Sequence, residues 1–238
     1  MLGDRAPAPS ATQSDAGVAP AVVGLGDSVP AGAQCGCTSF VELVGQSLAT
    51  RVGAKAPQVH NLAVSGETSA GLLQQLSDRD VDAQVSVADV VLVTIGANDF
   101  DPADLPTAAC SSDGDCLARE RAVVSSTLDS ILGKIAQLGP GARVLVTGYW
   151  NVFLDGTVGR RQGSVYVRES DALTKAVNAI IEASAARAGD AYVDLYGPFK
   201  GEDGTVDPTQ LLAADGDHPN AAGHRLIADE VMEVLGEH

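Results

Sequence analysis

The chain alternates between two hydrophobic patterns. Five short stretches are valine-rich apolar runs without strict alternation: the start of "VVGLGDSVPAG" from Val22, "QVHNLAV" from Gln58, "DVVLVTIG" from Asp89, "ARVLVTGYW" from Ala142 and "DAYVDLY" from Asp190. Runs of this kind suit strands covered on both faces. Between them the apolar positions recur at helical spacing. Phe40, Leu43, Val44, Ser47 and Leu48 fall on one face behind a capping-box pair, Ser39 and Glu42. Leu128, Ile131, Leu132, Ile135 and Leu138 make a second stripe, Leu173, Ala176, Val177, Ile180 and Ile181 a third, and Leu226, Ile227, Val231, Val234 and Leu235 a fourth. Strands alternating with helices imply right-handed crossovers, so the pattern predicts a three-layer α/β/α sandwich around a mostly parallel, flavodoxin-like sheet. One domain over residues 20–238 is expected, behind a Pro/Ala-rich leader over residues 1–19 that has no apolar periodicity and reads as flexible.

Composition narrows the partners. With 15 basic and 31 acidic residues the net charge is −16, which repels phosphate backbones and anionic lipid surfaces and excludes nucleic acid as the expected partner. A solvated acidic surface accounts for that charge more simply than an acidic site for a cationic substrate. No apolar run reaches the roughly 20 residues that a spanning helix needs. The four cysteines fall in two close pairs, Cys35 with Cys37 and Cys110 with Cys116, a grouping that favours two local disulfides, the first of them tight across the single Gly36. Zinc is the competing reading, but no second cysteine pair at finger-like spacing and no clustered histidines accompany Cys35 and Cys37. Bridged cysteines place the chain in an oxidising compartment, secreted or at the cell envelope, although the leader lacks the charged start and apolar centre of a signal peptide. A cytoplasmic location is compatible with the same residues.

In parallel sheets ligands bind beyond the carboxyl ends of the strands, so the polar residues that follow each strand carry the functional question. After the first comes "GDS" with Ser28, after the second "NLAVSGETS" with Gly66, and after the third "GAND" with Asn98; "DGDHPNAAGH" places Asp215 three residues before His218 ahead of the last helix. Each has a structural alternative: a turn cap for Asn98 and Asp99, a positive φ for Gly66, a helix cap for Asp215 and His218. Together they are a nucleophile, oxyanion donors, and a base with its orienting acid, all on one rim.

These four motifs, in this order, resemble the GDSL-type, or SGNH, hydrolase family of esterases and lipases over nearly everything after the leader. The resemblance implies Ser28 as nucleophile, His218 as general base and Asp215 as its orienting acid. It also implies an oxyanion hole from the Ser28 and Gly66 amides and the Asn98 side chain. Val29 and Pro30 stand where the family usually continues to leucine, a departure without chemical weight. No metal or organic cofactor is needed, and the substrate is expected to be an acyl ester, whether small molecule, lipid or acylated carbohydrate, with the protein acting as a monomer. Transfer of the acyl group to an alcohol uses the same residues, and an inactive binding module is the rival from another class.

The neighbouring polar residues receive structural expectations. Asp27, Asp99 and His224 are read as hydrogen-bonding or packing groups, His60 as a satisfied core residue, and Asp217 as facing away from His218. Substrate choice lies in residues 99–119 and 150–168, where Trp150, Phe153 and Leu154 either line an acyl pocket or simply pack.

Overall fold

The computed structural model describes residues 17–101 and 117–236. Five strands, β1 (Ala21–Gly26), β2 (Gln58–Asn61), β3 (Val90–Thr94), β4 (Arg143–Thr147) and β5 (Ala191–Val193), form one sheet in the order β2-β1-β3-β4-β5. Every pairing is parallel. The helices are α1 (Phe40–Arg51), α2 (Ser69–Gln75), α3 (Arg79–Val85), α4 (Ala118–Leu138), α5 (Gly156–Arg161), α6 (Ser164–Ala188), α7 (Tyr196–Lys200) and α8 (Ala221–Gly236). The chain runs from β1 outward to β2, then returns past β1 to β3 and continues in that direction. Right-handed crossovers therefore put α1 on one side of the sheet and the later helices on the other, with α8 returning to pack on α1 while α4 packs on α2, α3 and α6. This is the α/β/α sandwich expected from the sequence, and its strand order reverses between β1 and β3, where the diverging connections open a crevice at the strand ends.

Strands β1, β3 and β4 are sealed on both faces: Val22, Val23, Leu25, Val91, Leu92, Val93, Leu145 and Val146 have 0% exposure. The expectation of two covered faces fails at the edge. β2 alternates exposed with half-buried residues, since an edge strand leaning on α1 has one face left to water. His60 is accordingly exposed rather than a satisfied core residue.

The expected capping box ahead of α1 is also rearranged. Ser39 occupies the N-cap position without capping the backbone; its hydroxyl instead bonds the Glu42 carboxylate. Asn61 from β2 donates to Glu42 at 3.1 Å and to the Pro30 carbonyl at 2.7 Å, joining the β1–α1 connection to the edge strand. The Phe40 N–H at the start of α1 donates to His224 Nδ1 on α8 at 3.3 Å, so α8 supplies the cap that Ser39 does not. At the N-terminal end, the Gly17 N–H donates to the Val52 carbonyl at 3.2 Å and Ala19 is buried, so these two residues of the expected leader touch the body of the molecule.

Candidate active site

Strand β1 ends on Gly26 because nothing else fits. Its φ is +122°, and a Cβ at that position would lie 1.9 Å from the Thr94 carbonyl oxygen of β3. Glycine lets the Asp27 N–H extend the ladder by one more bond to that carbonyl, at 3.0 Å. The chain then turns sharply: Asp27 Oδ1 accepts the Val29 N–H at 2.9 Å, and the Ser28 carbonyl accepts from Ala33 at 3.0 Å. Ser28, half-buried, sits at the start of that turn.

Asp27 itself is buried, and its second oxygen accepts the Tyr149 hydroxyl at 2.5 Å. Burial pushes its carboxyl up to about 7, only partly countered by the bonds from Tyr149 and Val29. Burial likewise raises the Tyr149 phenol, with the Asp27 charge adding to the effect. Tyr149 is held in turn by Asn178 of α6, which accepts its N–H at 2.9 Å and donates to its carbonyl at 2.7 Å. Asp27 thus has the hydrogen-bonding role expected of it.

The two expected donors lie in the connections that follow the neighbouring strands β2 and β3. Gly66 takes φ +80° in the connection after β2, with open space where a Cβ would stand. Asn98 is exposed on a 3₁₀ turn, Ala97–Asp99, that follows β3. One hydrogen of the Asn98 amide is used on the Glu67 carbonyl at 2.9 Å, which ties the two connections together and leaves the amide's other hydrogen available. Asp99 anchors the same turn by accepting the N–H and the hydroxyl of Ser69 at 3.0 and 2.7 Å. Among the described residues nothing accepts the Ser28 or Gly66 N–H.

Asp215 and His218 are in direct contact, with Oδ2 2.8 Å from Nδ1, and Asp215 Oδ1 accepts the His218 N–H at 3.2 Å. Burial pushes the Asp215 carboxyl up, but the bonds from the His218 ring and from the amides of Asp217 and His218 outweigh it and hold the group below the usual carboxylate range. A carboxylate on Nδ1 fixes the proton there and leaves Nε2 with its lone pair. The loop that carries the pair is folded back by an isolated bridge between Leu212 and Pro219 and by Asn220, which donates to the Gln210 and Leu212 carbonyls at 2.9 Å.

Ser28 and Asn98 line one cavity of about 100 Å³ together with Asp27, Phe100, Phe153 and Asp217. Gly66 joins them only through the Glu67–Asn98 bond, and no hydrogen bond links Ser28 to His218. Catalytic hydrogen bonds are often long in unliganded sites and tighten with substrate. Asp217 does not face away from His218 as the sequence reading expected. Asp217 lines the Ser28 cavity, its carboxylate lies 3.7 Å from His218 Nδ1, and burial pushes that carboxyl up to about 6. Of the three candidate pocket residues, Phe153 lines the cavity, whereas Trp150 is fully buried and stacks on Phe199 at 4.4 Å between centroids. Leu154 is half-buried and is not part of that wall.

The sulfurs of Cys35 and Cys37 are in contact across Gly36, and Cys110 and Cys116 lie outside the described residues. His224 brings a ring nitrogen within 4.8 Å of both sulfurs, a proximity invisible in the sequence. The Phe40 N–H occupies its Nδ1 lone pair, so Nε2 carries the proton and offers no ligand electron pair. Burial lowers this imidazole to about 4, which keeps it neutral. Two supports of the site were not foreseen. Tyr149 has no motif, and the buried Asp155–Lys200 ion pair, at 2.5 Å, joins residues far apart in the chain. The signal available for Tyr149 was its place just past the end of β4.

The GDSL-like lipase/acylhydrolase family model matches residues 25–226. No curated protein matches the chain in sequence. Among solved structures, a lipase from a goat rumen metagenome aligns with TM-score 0.68 at 17% identity, covering 90% of this chain and 97% of its own. The extracellular lipase of Streptomyces rimosus aligns at 0.63 and 24% identity, over 92% and 99%. A mutant acetyl-xylooligosaccharide esterase from a Geobacillus aligns at 0.63 and 22% identity, over 94% and 98%. At these identities the likeness is one of fold.

Proposed function

The chain is an ester hydrolase of the GDSL-like lipase/acylhydrolase family, and we propose that it works through an acyl-enzyme formed on Ser28. The observation that supports this reading is the Asp215–His218 contact, which leaves the Nε2 lone pair free on a loop whose Asp217 lines the cavity of Ser28. His218 takes the Ser28 proton as the hydroxyl attacks the ester carbonyl, and Asp215 steadies the imidazolium that results. Negative charge develops on the carbonyl oxygen, where the unengaged amides of Ser28 and Gly66 and the free hydrogen of the Asn98 amide receive it. His218 then protonates the departing alcohol. Water repeats the sequence on the acyl-enzyme and restores Ser28.

A cavity of about 100 Å³ walled by Phe100 and Phe153 supports short or medium acyl groups over long chains. The same size favours, as a second reading, a small acyl substituent on a carbohydrate, the chemistry named for the Geobacillus relative. Hydrolysis of p-nitrophenyl esters of increasing acyl length, wild type beside Ser28→Ala, tests the proposal. Activity confined to the wild type, with an optimum at short chains, is expected; undiminished turnover by Ser28→Ala would remove the serine from the mechanism.

A further inference from the structure

We infer that Asp217 makes the Ser28 cavity a charge filter, one that admits neutral and cationic esters and rejects esters bearing an anionic group near the reacting carbonyl. The inference rests on Ser28 being the nucleophile and adds a substrate class to that reading. Asp217 shares the cavity wall with Ser28, and its side chain keeps 34% of its surface accessible. The other wall carboxylate, Asp27, has both oxygens occupied, by the Val29 N–H and the Tyr149 hydroxyl. Asp217 differs: among the described residues its carboxylate accepts no hydrogen bond. Its one charged contact, His218 Nδ1 at 3.7 Å, is to an atom whose proton already belongs to Asp215 at 2.8 Å. The acceptor capacity of Asp217 is therefore left for whatever enters.

Among the described residues no lysine or arginine lines the cavity to offset that charge. Phe100 and Phe153 lower the local dielectric, and a space of about 100 Å³ leaves no room for an anion to keep its distance or its water. The net charge of −16 acts in the same sense at longer range, slowing the approach of anions and favouring that of cations.

Three methyl esters with a common acyl chain test this: dimethyl glutarate, its monomethyl ester, which carries a free carboxylate, and the methyl ester of γ-trimethylammoniobutyrate. kcat/KM is measured at mildly alkaline pH for wild type, Asp217→Asn and Asp217→Ser. The readout is the ratio between esters within each enzyme, so any general loss of activity cancels. Wild type is expected to prefer the diester over the monoanion by about tenfold or more, beyond the statistical advantage of two ester groups. Both variants are expected to shrink that penalty about tenfold and to weaken any preference for the cation. An anion-to-neutral ratio that is unchanged in both variants overturns the filter, as does a wild type that turns over none of the three. A Ser28→Ala enzyme that still cleaves the diester is a different failure, of the nucleophile assignment.

Discussion

The two halves of the site are held in different ways. The serine half is an extension of the sheet: Gly26 closes on Thr94, the Asp27 N–H adds a rung to β3, and the side chain of Asp27 locks onto Val29 and Tyr149. The histidine half stands on a loop with no strand beneath it, closed by its own Leu212–Pro219 bridge and by Asn220 and tied to the rest of the molecule through Asp155. The Asp155 N–H donates to the Gly216 carbonyl at 2.7 Å, and Asp155 is fixed by its buried pair with Lys200 on α7. Ser28 is thus positioned by the sheet and His218 by a loop tied to a single buried ion pair, so the two halves should fail differently when their supports are removed.

The largest effect is expected at Lys200. Lys200→Met leaves the buried Asp155 carboxylate without its partner, at a cost of about 3–5 kcal/mol. Urea unfolding should show that loss, and Asp155→Asn in the same chain should recover part of it. Because the Asp155 backbone holds Gly216, turnover should fall along with stability. A variant as stable and as active as wild type would mean that the histidine loop stands without this pair.

Next comes Asn98→Ala, which removes the amide proposed to receive the oxyanion and, with it, the bond to the Glu67 carbonyl. Removal of one oxyanion donor typically costs about a hundredfold to a thousandfold in kcat. Since Asn98 is exposed and gives up one hydrogen bond, the unfolding free energy should fall by no more than about 1 kcal/mol. A change in KM with kcat intact would assign the amide to substrate binding instead.

Asp27→Asn should have the smallest effect at any single pH, because removing a buried charge is offset by an amide hydrogen left without an acceptor. Its signature is in the pH profile. The Asp27 carboxyl is raised from 3.8 to about 7 on folding, so between those values the native state holds a proton that the unfolded state has released. The Asp27 contribution to stability therefore declines as pH rises through that window, and the penalty is absent below about 3.8. Asp217, raised to about 6, declines in the same direction. His224, lowered to about 4, acts in the opposite sense, so the clean readout is the difference between variant and wild type: Asp27→Asn should gain on wild type in urea midpoint as pH rises from about 3.8 to about 7, and a difference that does not change with pH would contradict a charge-disfavouring site for Asp27.

The same asymmetry governs how much the sequence revealed. Valine-rich runs and helical stripes suffice for the sandwich because burial on both faces is written locally in β1, β3 and β4. They mislead at β2, where an apolar run lies on an edge and His60 ends in water. That Ser28 and Asn98 share a cavity was legible because strand ends point to one rim, whereas Gly66 does not line it, and the Asp215–His218 contact was legible because a spacing of three residues suffices for it. Asp155, Lys200 and the capping of Phe40 by His224 were not legible, since each joins elements that only tertiary packing brings together. The direction of Asp217 was missed for a related reason: adjacency to His218 says nothing of which way a turn sends a side chain.

The most direct test of the central claim is covalent trapping. Wild type, Ser28→Ala and His218→Ala are incubated with an ethyl p-nitrophenyl alkylphosphonate, a neutral diester, and adducts are mapped by peptide mass spectrometry while activity is followed. A single phosphonyl group on the Ser28 peptide, formed in step with loss of activity, slowed in His218→Ala and absent in Ser28→Ala, is the predicted result. Esterase activity that survives full labelling of Ser28, or inactivation with the adduct on another residue, would contradict it.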